Sequence, residues 1–87
     1  MIPKGEKYWS FWYVMTHDEI AASRGEVRPY AMRRIEEELW RCSGHTPKTH
    51  RIMWGEREGP DGGTILEGRL YTIETFNRLA ERLRRAA

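Results

Sequence analysis

A single cysteine, Cys42, stands among the 87 residues, so no internal disulfide holds this chain together. No apolar run has the length or purity of a transmembrane helix, and no charged-then-apolar leader opens the chain. A cytoplasmic location is therefore the default, and no membrane is expected among the partners. Net charge is scarce too: 15 basic and 13 acidic residues leave +2, which argues neither for nor against nucleic acid. There is no internal repeat and no low-complexity tract. The motifs that announce chemistry are also missing. Gly62-Gly63-Thr64 lacks the lysine of a phosphate loop and leads into a predicted strand instead of a helix. Glu36, Glu37 and Glu38 take successive helix positions, which point in different directions around the axis and do not converge as a carboxylate pair.

Cys42, His45 and His50 are spaced CxxH and then HxxxxH, which invites a zinc reading. A structural site wants four ligands, and the only spare histidine is the distant His17. The plainer expectation is a buried cysteine at a helix end beside two loop histidines, with no metal and no cofactor. Cys42 is also poorly placed as a nucleophile. It falls near a predicted helix C-terminus, where the dipole opposes a thiolate.

What the chain has in plenty is aromatic surface. Tyr8, Trp9, Phe11, Trp12 and Tyr13 crowd into the stretch Lys7–Met15. Aromatic and β-branched residues favour a pleated, half-buried surface, so this stretch reads as a strand. One of its faces holds Trp9, Phe11, Tyr13 and Met15, and the other Tyr8, Ser10, Trp12 and Val14. Both are apolar enough to want cover.

The rest follows in order. Residues 1–6 form a loose lead-in to a single domain spanning 1–87. Thr16 with Glu19 fits a capping box and predicts a short helical turn from His17 to about Arg24, ended by Gly25. From Pro29 to Cys42 the apolar residues Ala31, Met32, Ile35, Leu39 and Cys42 recur at helical spacing, with Arg33–Glu37 and Arg34–Glu38 as expected braces and Gly44 as the stop. His50–Glu58 and Thr64–Tyr71 read as strands joined through the turn Gly59–Gly63. Thr72 caps a last helix whose stripe is Ile73, Phe76, Leu79, Ala80 and Leu83. The expected fold is α+β: a three-stranded, mainly antiparallel sheet in the order β-α-β-β-α, with the two main helices packed on one face.

That arrangement turns Ile52, Trp54, Leu66 and Leu70 toward the helices. It leaves Arg51, Met53, Arg57, Ile65, Glu67, Arg69 and Tyr71 on an open face, joined by one side of the first strand. Tyr, Trp, Met and Arg are the residues enriched at protein interfaces. The expected binding residues are therefore Tyr8, Trp12, Arg51, Met53, Arg57, Arg69 and Tyr71 on this face, with Arg78, Arg82 and Arg85 on the basic last helix. The composition points to a non-enzymatic protein that docks on a protein partner and occludes or bridges it. In size and style this is an analogy to the phage-encoded inhibitors of host defence complexes. Two alternatives use the same surface: a nucleic-acid module that stacks bases on the aromatics, and a homodimer in which one open face covers another.

Overall fold

The computed structural model describes residues 7–86, so the expected lead-in at 1–6 lies outside the described residues. Its elements are β1 (Trp9–Met15), α1 (His17–Ser23), α2 (Val27–Ser43), β2 (His50–Glu58), β3 (Thr64–Thr72) and α3 (Ile73–Ala86), with a single 3-10 turn, Pro60–Gly62, between β2 and β3. The strands form one sheet in the order β1-β3-β2, and both pairings are antiparallel. The α+β class and the three-stranded sheet are as the sequence predicts.

Local chemistry sets the boundaries. At the start of α1 the Thr16 hydroxyl accepts from the Glu19 backbone N–H at 3.1 Å, and the Glu19 carboxylate accepts from the Thr16 N–H at 3.2 Å, closing a capping box. Arg24 and Gly25 then turn the chain through left-handed backbone. α2 ends where Gly44 adopts positive φ and its N–H reaches back to the Trp40 carbonyl. Thr72 caps α3 by accepting from the Thr75 N–H at 3.2 Å. No loop separates β3 from α3, and the Ile73 N–H binds the Thr49 carbonyl beside β2.

The register puts Trp9, Phe11, Tyr13 and Met15 on the same face as Leu66, Leu70, Ile52 and Trp54. Met15, Leu66 and Leu70 meet Ala31, Ile35 and Leu39 of α2 there, and Tyr13, Ile52 and Trp54 pack around them. α2 lies across β1 and β3. It can approach closely because Gly68, at the middle of the central strand, has no side chain. Phe11 and Trp54 are its neighbours on either side. A Cβ at Gly68 would stand 2.7 Å from Ile35 Cγ2 and 3.2 Å from the Trp54 ring.

The second long helix departs from the expected pair on one face. α3 packs against β2 and β3, yet none of its apolar residues joins the α2 cluster or packs against it. Tyr71 points to the face opposite Leu70 and is only 1% exposed, and Leu79 of α3 is buried as well. α3 therefore covers part of the second face, over the β2–β3 side. The physical reason is local: Met53 and Tyr71 on that face need cover, and a helix that begins at Thr72 without a loop is at hand to supply it. Hydrophobic periodicity specifies which stripe of a helix is buried, not which face of a sheet receives it.

Two smaller expectations are also corrected. Cys42 is exposed, with its Sγ 3.8 Å from a Glu38 carboxylate oxygen. The expected i,i+4 braces of α2 are replaced: Glu38 pairs with Arg41, Arg28 reaches across to Glu56 of β2, and Arg33 lies over the Tyr30 ring.

Candidate functional site

β3 is the central strand, so β1 is an edge. Among the described residues nothing pairs with its outer side. Its sequence, WSFWYVM, contains no charge and no proline. Edge strands of soluble proteins are usually blunted by such residues, because an unpaired row of N–H and C=O groups invites another strand. The other edge, β2, follows the usual rule with Arg51, Glu56, Arg57 and Glu58. β1 also presents apolar side chains on both faces. Trp9 and Phe11 lie on the α2 side and Trp12 and Val14 on the other, each between 36% and 58% exposed, and Tyr8 just before the strand is 41% exposed. Trp9 and Phe11 lie outside the surface that the sequence predicts. The missing signal is topological: nothing in the chain order says that the first strand pairs beside the third and ends up at an edge.

Next to β1 the second face carries a charged cluster. Glu67 sits across from Trp12 and takes an ion pair from Arg69 at 3.0 Å and from Arg57 at 3.6 Å. The Arg69 guanidinium also lies 5.1 Å from the centre of the Tyr8 ring, a cation–π contact. Tyr8 in turn tilts against Tyr71, with ring centroids 5.5 Å apart. The structure thus brings together Tyr8, Trp12, Arg57, Arg69 and Tyr71 from the expected site. It does not present Tyr71, whose ring is buried. Burial pushes its phenol pKa up, opposed by the neighbouring Arg69 charge. The Tyr71 hydroxyl and Arg69 Nε are both buried without a hydrogen-bond partner.

The remaining expected residues lie apart from this cluster or are engaged. Met53 is half-buried on the second face of β2. Arg51 donates to the Pro47 and His50 carbonyls. Arg78 donates to the Thr75 hydroxyl. Arg85 shares Glu81 with Arg84, while Arg82 is exposed. Guanidiniums held by carboxylates of the same chain are poor candidates for phosphates, since each exchange would break an existing pair.

Elsewhere, His45 and His50 stack with centroids 3.7 Å apart, in an open groove also lined by Tyr8, Trp9 and Leu70. Desolvation, and then the neighbouring His45, hold the His50 pKa below its ordinary value. Among the described residues no group of three His, Cys, Asp or Glu side chains is arranged to hold a metal ion. No helix among them is long and apolar enough to cross a membrane. Compared with family models, curated proteins and solved structures, the chain matches none.

Proposed function

We propose that this protein is a non-enzymatic binding module that docks on a protein partner and occludes it or bridges it to another. The observation that carries this reading is the concentration of exposed apolar surface on β1 beside the ion-paired Arg57–Glu67–Arg69 cluster. Contiguous exposed apolar surface rimmed by polar groups marks interaction sites. Trp12 and Tyr8 are the anchors, since aromatic side chains deliver large contact area at low entropic cost. The Arg57–Glu67–Arg69 cluster, satisfied within the chain, forms the polar rim beside them.

The test is capture from lysate by tagged wild type, Trp12→Ala and Leu83→Ala, with identification of what each retains. Leu83, 61% exposed on α3, serves as an apolar control away from β1. Partners held by wild type and the control but lost from Trp12→Ala support the reading, because truncating a true anchor costs about 2 kcal/mol or more, roughly 30-fold in affinity. Identical retention by all three removes Trp12 as an anchor. Titration with single-stranded RNA and DNA, followed by tryptophan fluorescence, checks the alternative. Quenching that weakens steeply with salt would place nucleic acid ahead of protein.

A further inference from the structure

We propose that the outer edge of β1 pairs with β1 of a second copy, antiparallel and about a two-fold axis normal to the sheet, making a continuous six-stranded sheet. The inference rests on the reading of β1 as an interaction strand, and it assigns the occupant of the edge. The pairing draws on the same side chains as the docking reading, Trp12 included, so a partner that takes Trp12 competes with the second copy.

Charge supports this occupant. A seven-residue strand without charge, in a chain that is 32% charged, gains no electrostatic complement from an acidic or a basic segment. It matches best a strand that is equally uncharged, and another β1 is that strand. The pattern is self-complementary. A two-fold normal to the sheet keeps like faces together, so Trp9 and Phe11 of both copies share the α2 side, and Trp12 and Val14 of both share the other. Cross-strand aromatic and aromatic–aliphatic pairs of this kind stabilise antiparallel pairing.

The area is sufficient for a weak dimer. With aromatic side chains of about 150–250 Å² each, the exposed fractions of Tyr8, Trp9, Phe11, Trp12 and Val14 leave roughly 400–500 Å² of apolar surface per copy. If pairing covered all of it, two copies would bury close to the ~1,000 Å² that a specific interface needs, with the backbone groups and α2 in addition. Among the described residues α3 leaves the approach clear, because it lies over β2 and β3, away from β1. On the other face α2 sits over the β1–β3 seam. Two such helices, separated by a strand spacing of about 4.8 Å plus their own offsets, would stand close to the ~8–10 Å of ordinary helix packing.

The experiment is sedimentation of the full chain from low micromolar to several hundred micromolar, joined to amide hydrogen exchange at the two ends of that range. The expected result is a shift from the 10.4 kDa monomer toward twice that mass. Alternate β1 amides, those facing away from β3, should become protected as concentration rises. Trp9→Lys puts a charge on the α2 side of the edge and should weaken association at least tenfold, while Leu83→Lys should leave it unchanged. A monomer throughout overturns the proposal. So does a dimer in which the β1 amides gain no protection, or one that Leu83→Lys abolishes. If Trp9→Lys does not fold, exchange on the wild type alone decides. A monomer that still loses its partner through Trp12→Ala would defeat this inference and leave the docking reading intact.

Discussion

Replacing Gly68 by alanine tests how closely α2 rests on the sheet. The new Cβ would stand 2.7 Å from Ile35 Cγ2, 3.2 Å from Trp54 Cζ3 and 3.3 Å from Ile52 Cγ2. Ordinary carbon contacts begin near 3.5 Å, so the first of these needs a movement of several tenths of an ångström. The atom that must yield is not the free end of a flexible chain. Cγ2 is fixed to the β-branched carbon of Ile35, which has one strongly preferred rotamer in a helix, and Ile35 is buried between Ala31 and Leu39 on the same stripe. Overpacking of this kind costs about 1–3 kcal/mol. Stiffening the unfolded chain by Gly→Ala returns about 0.4–1 kcal/mol. The net expectation is a loss of about 1–2 kcal/mol. At about 4–8 °C per kcal/mol for a domain of this size, the melting temperature should fall by roughly 4–15 °C. Ile35→Leu removes the offending methyl at nearly constant volume and should cost less than about 1.5 kcal/mol alone. In that background Gly68→Ala should cost clearly less than in the wild type, and the coupling of the cycle reads the contact directly. Thermal and urea unfolding of the four proteins give the answer. An unchanged or raised melting temperature in Gly68→Ala, or an equal penalty in both backgrounds, would refute the reasoning.

Three further outcomes are expected. Thr16→Ala should cost about 1 kcal/mol through loss of the α1 cap. It should also let Glu19, whose pKa is lowered first by the Thr16 backbone and side-chain hydrogen bonds, titrate nearer its ordinary value by NMR; an unmoved Glu19 midpoint counts against the box. In the wild type the Glu19 contribution is whole above the ordinary carboxylate range and fades as pH falls through its lowered pKa. Burial, and then the stacked His45, favour neutral His50, so this stabilisation is present above the ordinary histidine value and is lost as pH falls through the depressed one. His45→Ala should raise the His50 midpoint part of the way, since burial remains; a wild-type His50 titrating at or above the ordinary value would contradict this. Tyr71→Phe removes a buried hydroxyl that has no well-formed hydrogen bond and whose polar neighbour is Arg69, and should change stability by less than about 1 kcal/mol; a larger loss would mean the hydroxyl is firmly bonded.

Much of this fold is legible in the sequence because its signals are local. The Thr16–Glu19 box, Gly44 and Thr72 each satisfy backbone groups within four residues, so their chemistry can be read without tertiary contacts. The pleat likewise separates Ile52, Trp54, Leu66 and Leu70 from Arg51, Met53, Arg57 and Tyr71 by counting alone. What the sequence withholds depends on long-range choice. The stripe Phe76–Leu79 is visible, but whether it joins α2 or crosses to Tyr71 depends on how α3 leaves β3. The same choice decides whether Tyr71 is an exposed anchor or a buried floor. The candidate site was legible to the same degree: Tyr8, Trp12, Arg57 and Arg69 cluster on the expected face, while the edge position of Trp9 and Phe11 required the strand order.

These choices are coupled. A three-stranded sheet has two faces and two edges, and two long helices cannot cover all four. With α2 across β1 and β3 and α3 across β2 and β3, the central strand is covered from both sides and β2 is backed on the face that α3 occupies. β1 is then left with its second face and its outer edge open, and α2 covers only part of the first. Had α3 packed beside α2, Tyr71 and Met53 would lie open, the apolar surface would spread over the whole second face, and β1 would carry no greater exposure than its neighbours. Placing α3 over β2 and β3 instead concentrates the exposed apolar surface on the one strand that has no charge to keep other strands away. Cover and exposure are thus set by the same packing decision, and that is why the aromatic richness of residues 8–14 becomes a surface property of this molecule instead of a core one.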